Sequence, residues 1–488
     1  MDSDSDNSIG EHVCAIKTDI VIIGAGCAGL ECAAKLYSFG FENLVVLEAQ
    51  DYIGGRIKTT LINEDETLPL EIGANWIHGY LGNPIYRLVI ENPDLFVHKK
   101  KKLFDIFTDQ IYCADENGKY YAPSFYESLW EKYNIWNLEA KALWVKSVKS
   151  EFTTYTEFMI NKLEQLMDEE NLSEYERKIK LAIMNRFLKQ ETAESGCATM
   201  DLLSVNEYGS YLKPFGPDYE FPGGFSGLIQ FLADKIPKNS IKLNHAVEQI
   251  TMFDDEETPM LVQCKNGTSY RAKHVLVTTS VNYLKKHYQS LFNPSLLTTK
   301  KIEAIQTVKM DTVDKIFLFY EDMSFFPENC DAVHPIFTNQ PENVCMKTDW
   351  KYKVYTFDKF YDNMLLVWIT GKEAEYVETL DNEEIGDTLT DLLRKVLNNK
   401  NIPKPDRVFK TQWKMNPYVL GSYSYVDVNG QANKHINDLA EPLYINNVPR
   451  VLFAGEATHL RYYSTVHGAY LSGQREATRL FEFYSSKK

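Results

Sequence analysis

Four apolar residues, Ile20-Val-Ile-Ile23, run into Gly24-x-Gly26-x-x-Gly29, and from Ala28 to Ser38 the pattern is helical. A buried strand must therefore stop and turn into a helix within a few residues. In such a turn the first glycine allows the tight bend, the second lets backbone approach a ligand, and the third lets the helix lie close on the strand. Ala33, four residues further on, keeps that helix contact short. The free N–H groups at the helix start face the turn, with Ala28 in the first turn, so a pyrophosphate fits there. Leu44-Val-Val-Leu47 supplies the next strand and completes a βαβ start. Glu48 follows that strand directly, 19 residues past Gly29, and is placed to accept hydrogen bonds from both ribose hydroxyls of an adenosine.

The next motif narrows the dinucleotide. In Gly54-Gly55-Arg56, two small residues let backbone approach phosphate and an arginine can pair with it, which points to FAD. A second dinucleotide site for NAD is absent, so electrons must leave the reduced cofactor for another acceptor, O2 being the simplest. Near the end, Phe453-Ala454-Gly455-Glu456-Ala457-Thr458 separates a strand from a helix beginning near Thr465, with Val466 next. That helix start would set positive potential beside the cofactor ring and stabilise its anionic reduced form. The same segment also reads as an ordinary strand-to-helix crossover.

Composition sets the scale. With 488 residues, 44% hydrophobic and 13% aromatic, the chain buries a large core and is expected to form two intertwined domains. Its net charge of −16 argues against nucleic acid and suits a cationic small molecule. The eight cysteines are scattered, with no CxxC pair and no metal-ligand spacing with histidine, so reduced thiols and no metal are expected. The acidic start MDSDSDNSIGEHVC does not read as a secretory signal, no stretch of about 18 apolar residues reads as a membrane span, and FEFYSSKK is not an SKL-type ending. A cytoplasmic location is expected. The run Lys99 to Lys102 reads as a solvated loop or as a nuclear address.

Along the chain, residues 1–16 are predicted to be a disordered acidic tail. A mostly helical insertion is predicted over about 124–192, with amphipathic pieces at Phe152 to Met167 and Glu174 to Leu188. Pro222-Gly-Gly-Phe-Ser-Gly227 breaks it. Ile241 to Val247 reads as a β-like segment, and Leu261 to Cys264 and His274 to Thr278 as strands separated by the Asn266-Gly267 turn. From about 300 to 440, strand-like runs such as Lys315-Ile-Phe-Leu-Phe319 and Met364-Leu-Leu-Val-Trp-Ile369 alternate with helices. Asp254 to Glu257 reads as a solvated hairpin tip.

The sequence Glu71-x-Gly73-Ala74-Asn75-Trp76-Ile77-His78-Gly79, with Gly54-Gly55-Arg56 and Gly455-Glu456-Ala457-Thr458-His459, resembles the flavin amine oxidase family, and within it the animal polyamine oxidases. The likeness covers nearly the whole chain. It continues through Phe221-Pro-Gly-Gly224, Thr312-Val-Asp-Lys-Ile-Phe-Leu318, Gly421-Ser-Tyr-Ser-Tyr425 and Tyr462-Tyr-Ser-Thr-Val-His-Gly468. The resemblance implies an α/β fold: a discontinuous Rossmann-type FAD-binding domain (17–98, 222–300 and 445–488) and a mixed-sheet plus helical substrate-binding domain (99–221 and 301–444).

The resemblance also implies roles. Lys315 corresponds to the lysine that holds a water against flavin N5, and a lysine desolvated on an apolar strand would have a lowered pKa. His78 matches a histidine lining the substrate tunnel, able to orient the substrate amine or take its proton. Glu194 resembles an acid that spermine-oxidising members carry in the tunnel, where it pairs with a far ammonium; taken alone it reads equally as a surface acid. Trp368 and Tyr423 fall where the family has aromatic walls beside the reacting amine, or belong to the core. Asn75, Trp76, Val247 and Trp413 join the expected cofactor contacts. Ser422 stands where monoamine oxidases carry a flavin-bound cysteine, so FAD is expected to be non-covalent. Two positions depart from the pattern: Val466 stands where close relatives have threonine, and Leu460 separates His459 from Arg461.

The expected reaction is oxidation of spermine by O2 to spermidine and 3-aminopropanal with release of H2O2, in a monomer or weak dimer. The rival readings are an N1-acetylpolyamine oxidase and a catalytically silent FAD-binding scaffold. A lysine demethylase is disfavoured because the sequence carries no long coiled-coil insertion or chromatin-binding domain.

Overall fold

The computed structural model describes residues 15–61, 69–93, 110–255, 257–292, 296–341 and 345–487. The lysine run 99–102 and residues 1–14 of the predicted tail lie outside the described residues. At Ile16 the expectation of a tail fails. Ile16 and Lys17 form a short parallel pair with Tyr270 and Arg271, although Ile16 is exposed. Backbone pairing at a sheet edge, which leaves no apolar pattern, fixes these two residues.

Six strands form the first sheet, in the order Ile241–Lys242, Leu44–Leu47, Ile20–Ile23, His274–Val277, Val448–Phe453, Leu443–Ile445. The first five are parallel and the last is antiparallel. Ile20 and Ile22 pack with Leu30, Ala33 and Leu36 of the helix Cys27–Ser38 and with Leu480 of the C-terminal helix Val466–Ser485. Val21 and Ile23 belong to a separate core on the other face, with Val262 and Val281. Both faces are covered, so an unbroken apolar run is what this strand requires.

A four-stranded sheet, Ile16–Lys17, Ser269–Ala272, Met260–Cys264, Val247–Met252, covers part of that second face. Here two strand assignments from sequence change. The Asn266-Gly267 turn closes a hairpin onto Ser269–Ala272, and His274–Val277 leaves for the parallel sheet. The segment 241–247 also divides, Ile241–Lys242 joining Leu44–Leu47 while Val247 begins a strand in the small sheet. A left-handed Asn244 marks the break.

The largest sheet has seven strands, in the order Arg407–Lys410, Val313–Phe319, Met364–Thr370, Phe357–Tyr361, Cys330–Ile336, Gln110–Asp115, Tyr120–Tyr121. Only Cys330–Ile336 and Gln110–Asp115 run parallel. Beside it lie the helices Pro123–Val145, Tyr155–Glu169 and Glu174–Ser195. The predicted helical stretch is cut into these pieces by two capping boxes, Thr154 with Glu157 and Ser173 with Glu176. Each side chain satisfies N–H groups that a helix start leaves free, worth about 1 kcal/mol per cap. Among the described residues no helix is long and apolar enough to cross a membrane.

Candidate active site

Between the parallel sheet and the seven-stranded sheet runs a cavity of about 1040 Å³. Its first end is built by the glycine turn: Gly24, Gly26 and Ala28 line it, and Glu48 and the Gly55-Arg56 pair stand beside them. Gly29 does not line the cavity. A Cβ on Gly29 would lie 2.0 Å from the Gly24 carbonyl oxygen, so this glycine holds the helix against the turn. Gly54 bridges Gly26 and has φ +117, where a side chain is strained.

Glu48 is buried, and burial raises its carboxyl above the ordinary value. Ala25 N donates to Oε2 at 2.8 Å and Gln50 N to Oε1 at 2.9 Å, which fixes the carboxylate at the mouth of the turn. Arg56 Nη1 donates to Glu456 Oε1 at 2.9 Å and to the Ser422 carbonyl at 2.8 Å. Gly455, Glu456, Thr465, Val466, Val247 and Trp413 also line the cavity. Thr465 caps the last helix, its hydroxyl accepting from Gly468 N at 3.0 Å. A glycine cradle, a ribose-ready carboxylate and a helix start around one elongated space fit FAD.

Further in, Lys315 is held from a strand buried along its length. Its Nζ donates to the carbonyls of Glu71 at 2.8 Å and Gly73 at 2.7 Å and to Asn75 Oδ1 at 2.9 Å. Burial lowers its pKa to about 7, against the opposing charge of Glu71. Glu71 is shifted the other way by burial, and it accepts from Phe225 N at 2.7 Å and from the Thr59 hydroxyl. Three acceptors around one nitrogen match the three donors of an ammonium. Trp368 is paired with Lys315 across the sheet, and Nζ sits 5.0 Å from its ring centroid.

His78 follows the short strand Trp76–Ile77, and both Trp76 and His78 line the cavity. His78 Nδ1 lies 3.3 Å from Asp218 Oδ2, which Lys213 Nζ also approaches at 2.9 Å. Burial works against the Asp218 charge, but His78 and Lys213 outweigh it and hold the carboxyl at about 2.

Glu194 lies in the last turn of the helix Glu174–Ser195 and lines the cavity, so its exposed surface is cavity wall. Gln190 Nε2 donates to its Oε1 at 2.9 Å. Burial, then the neighbouring Glu191 charge, raise its pKa. Glu191 itself is satisfied by the hydroxyls of Tyr133, Tyr208 and Ser195. Tyr423 lines the cavity and its hydroxyl donates to the Ala193 carbonyl. Ser422 Oγ accepts from Val313 N and donates to Val313 O, both at 2.8 Å.

The structure thus brings every sequence-predicted site residue except Gly29 to one cavity. Sequence reading missed Asp218, which no motif singled out, and the pairing of Glu71 with Lys315, since Glu71 was noticed only as the start of a matching stretch.

Comparison with known proteins agrees with this architecture. The family described as flavin containing amine oxidoreductase matches residues 27–481. The peroxisomal N(1)-acetyl-spermine/spermidine oxidase of Homo sapiens is 31% identical, covering 99% of this chain and 98% of its own. Probable polyamine oxidase 5 of Arabidopsis thaliana is 29% identical, covering 96% of this chain and 99% of its own. Among solved structures, wild-type putrescine oxidase bound to putrescine superposes with a TM-score of 0.69 at 16% identity, covering 96% of this chain and all of that one, a likeness of fold. The chain belongs to the flavin containing amine oxidoreductase family and is an FAD-dependent amine oxidase.

Proposed function

We propose that this enzyme oxidises a secondary amine of spermine with O2 and that water hydrolyses the resulting imine, giving spermidine, 3-aminopropanal and H2O2. The observation that carries the reading is one cavity lined by Lys315 and Trp368 and, on the adjoining helix, by the carboxylate Glu194. FAD, when bound, supplies the two-electron acceptor, and O2 receives those electrons. In this reading 17–98, 222–300 and 445–488 hold the cofactor, and 99–221 and 301–444 hold the substrate.

The chain's own residues bind, orient and move protons. Trp368 and Tyr423 present aromatic faces to the alkylammonium stem. Glu194 pairs with a terminal ammonium. His78, whose Nδ1 faces Asp218, keeps Nε2 for the substrate nitrogen and takes its proton, so that the amine reacts neutral. Lys315 holds a proton beside the reacting atoms. Ser422 has no thiol, and its hydroxyl is spent on Val313, so FAD binds non-covalently. A cytoplasmic location and a monomer or weak dimer belong to the same reading.

The names of the two relatives, an N(1)-acetyl-spermine/spermidine oxidase of Homo sapiens and a probable polyamine oxidase of Arabidopsis thaliana, support the polyamine substrate class. The test is H2O2 release from spermine, N1-acetylspermine, spermidine and a monoamine. Spermine should give the highest kcat/KM. A higher value for N1-acetylspermine would overturn the spermine reading, and no release from any polyamine would overturn the polyamine class.

A further inference from the structure

Asp314 precedes Lys315 on the strand Val313–Phe319, and alternation along a strand sends the two side chains to opposite faces of the seven-stranded sheet. Lys315 reaches the cavity. Asp314, 1% exposed, lies within hydrogen-bonding reach of Glu378, 2% exposed, on the helix Gly371–Thr379. Two acids thus share a site closed to water.

Their other side-chain bonds go to one segment, 411–415. Asp314 Oδ1 accepts from the Thr411 hydroxyl at 2.6 Å and, more weakly, from Trp413 N at 3.4 Å. Glu378 Oε1 accepts from Lys414 N at 2.7 Å, and Oε2 from Met415 N at 2.8 Å. Thr411 in turn holds the strand, its hydroxyl accepting from Lys315 N at 2.9 Å and its N donating to Lys315 O at 3.0 Å. Trp413, in the middle of the segment, lines the cavity.

No cation offsets the pair. Among the described residues neither carboxyl has an ion-pair partner within 4.0 Å; Lys414 Nζ pairs with Glu375 at 2.8 Å, and Lys410 Nζ donates to the carbonyls of Val377 and Leu380. Two buried carboxylates in contact cannot both be ionised, so one of them carries a proton. Both Glu378 oxygens already accept from backbone N–H groups, whereas Asp314 Oδ2 is buried and receives no donor. Burial, then the Glu378 charge, raise the Asp314 carboxyl well above its ordinary value. A proton on Oδ2 turns an unsatisfied acceptor into a donor aimed at a carboxylate.

We infer that Asp314 is a positioning residue held as the neutral acid, donating from Oδ2 to the Glu378 carboxylate, and that this acid pair clamps the segment 411–415 so that Trp413 and the Lys315 backbone keep their places in the flavin site. Neither acid lines the cavity, so the pair acts through the residues it holds. Its effect on FAD rests on the reading in which Trp413 meets the cofactor; the position of the proton does not.

The first test is the infrared difference spectrum of the FAD-loaded enzyme, Asp314→Asn against wild type, at about pH 8, where an ordinary carboxyl is ionised. Wild type should show the C=O stretch of a protonated carboxylic acid that the variant loses. If no such band is lost, the assignment is overturned.

The second test is FAD affinity. Asp314→Asn keeps the acceptor and puts an N–H where the acid O–H stood, so it should bind FAD within about 3-fold of wild type. Glu378→Gln turns an amide NH2 toward a backbone N–H and should weaken FAD by at least about 10-fold. The reverse order, equal losses or no loss in either variant overturns the clamp. An Asp314→Asn chain that fails to fold counts with the reverse order, because a mimic of the neutral acid has to be tolerated.

In wild type FAD affinity should also fall at alkaline pH, as the shared proton leaves, and Asp314→Asn should lack this limb. The other titratable groups facing the pair, Lys410, Lys414, Glu375, Lys315 and Tyr423, are the same in both proteins. A limb that persists in the variant belongs to one of them and overturns the role of Asp314.

Discussion

Lys315 Nζ lies 2.9 Å from Asn75 Oδ1, 240 residues away in the chain, and this bond ties the seven-stranded sheet to the segment that runs past the cofactor end of the cavity. Asn75 has its place because Gly73, whose Cβ would lie 1.8 Å from the Arg56 carbonyl oxygen, lets the two segments touch. The lysine therefore reports on the cofactor side and the substrate side at once.

Lys315→Met should keep fold and FAD and slow the reaction of the reduced enzyme with O2 more than it weakens substrate binding. Its ammonium is the form that fits three acceptors, and a cation stabilises negative charge developing on O2. Burial brings its pKa to about 7, so the wild-type reoxidation rate should fall as pH rises through about 7. Stopped-flow reoxidation should show this pH step in wild type and not in the variant. A Lys315→Met enzyme that reoxidises as fast as wild type would refute the role.

Gly29→Ala should cost FAD binding without touching the substrate arm. The new methyl meets the Gly24 carbonyl oxygen at 2.0 Å, so the turn must open. Overpacking of this kind costs about 1–3 kcal/mol, or roughly 5- to 150-fold in FAD affinity if the turn bears it. Flavin content after gel filtration measures it, and full occupancy at limiting FAD would contradict the account.

Denaturation in acid should release all flavin as free FAD. Ser422 Oγ spends both its donor and an acceptor position on Val313 and offers no thiol. Yellow colour remaining with the precipitated chain would disprove non-covalent binding.

Asp218 gives a stability prediction with a definite sign. Its folded pKa of about 2 lies below the ordinary value of 3.8, so its charged form stabilises the fold above about pH 4, and this contribution is lost as pH falls through about 2. The shift corresponds to about 2 kcal/mol, less whatever solvent screens. Asp218→Asn should lower Tm at pH 7 and narrow the gap to wild type near pH 2. It should also lower kcat with a changed pH profile if His78 is the proton acceptor, whereas a purely structural Asp218 would leave that profile in place.

How much was legible follows from separation along the chain. The glycine turn, Glu48 and the strand before them sit within 29 residues, and their spacing alone specifies the phosphate-binding turn. The capping boxes at Thr154 and Ser173 are local too, and the amphipathic pieces at Phe152 to Met167 and Glu174 to Leu188 fall on the helices they start. Lys315 carried meaning only through resemblance, because its acceptors lie 240 to 244 residues away. Asp314 and Glu378 left no signal as a pair, since a lone acid on a helix reads as solvated until its neighbours are known. At Asn266-Gly267 the turn was legible and the partner strand was not. Local chemistry makes a turn, whereas which strand it returns to depends on the sheet available.

In the proposed reading, Glu194 decides the choice between spermine and its acetylated form. Spermine carries an ammonium at both ends, and acetylation replaces one with a neutral amide. Glu194 lines the cavity, held by Gln190, with its pKa raised by burial and by Glu191. A bound ammonium favours the ionised carboxylate, so spermine affinity should fall as pH drops through that raised pKa. A charge-assisted hydrogen bond contributes about 1.5–3 kcal/mol, roughly 10- to 150-fold. Glu194→Leu should therefore lower kcat/KM for spermine by about that factor, remove its acid-side pH dependence, and leave N1-acetylspermine unchanged or improved. Glu194→Gln, which keeps the shape and removes the charge, should do the same. Equal losses on both substrates, or none on spermine, would show that the carboxylate does not meet the substrate and would return the acetylated polyamine to first place.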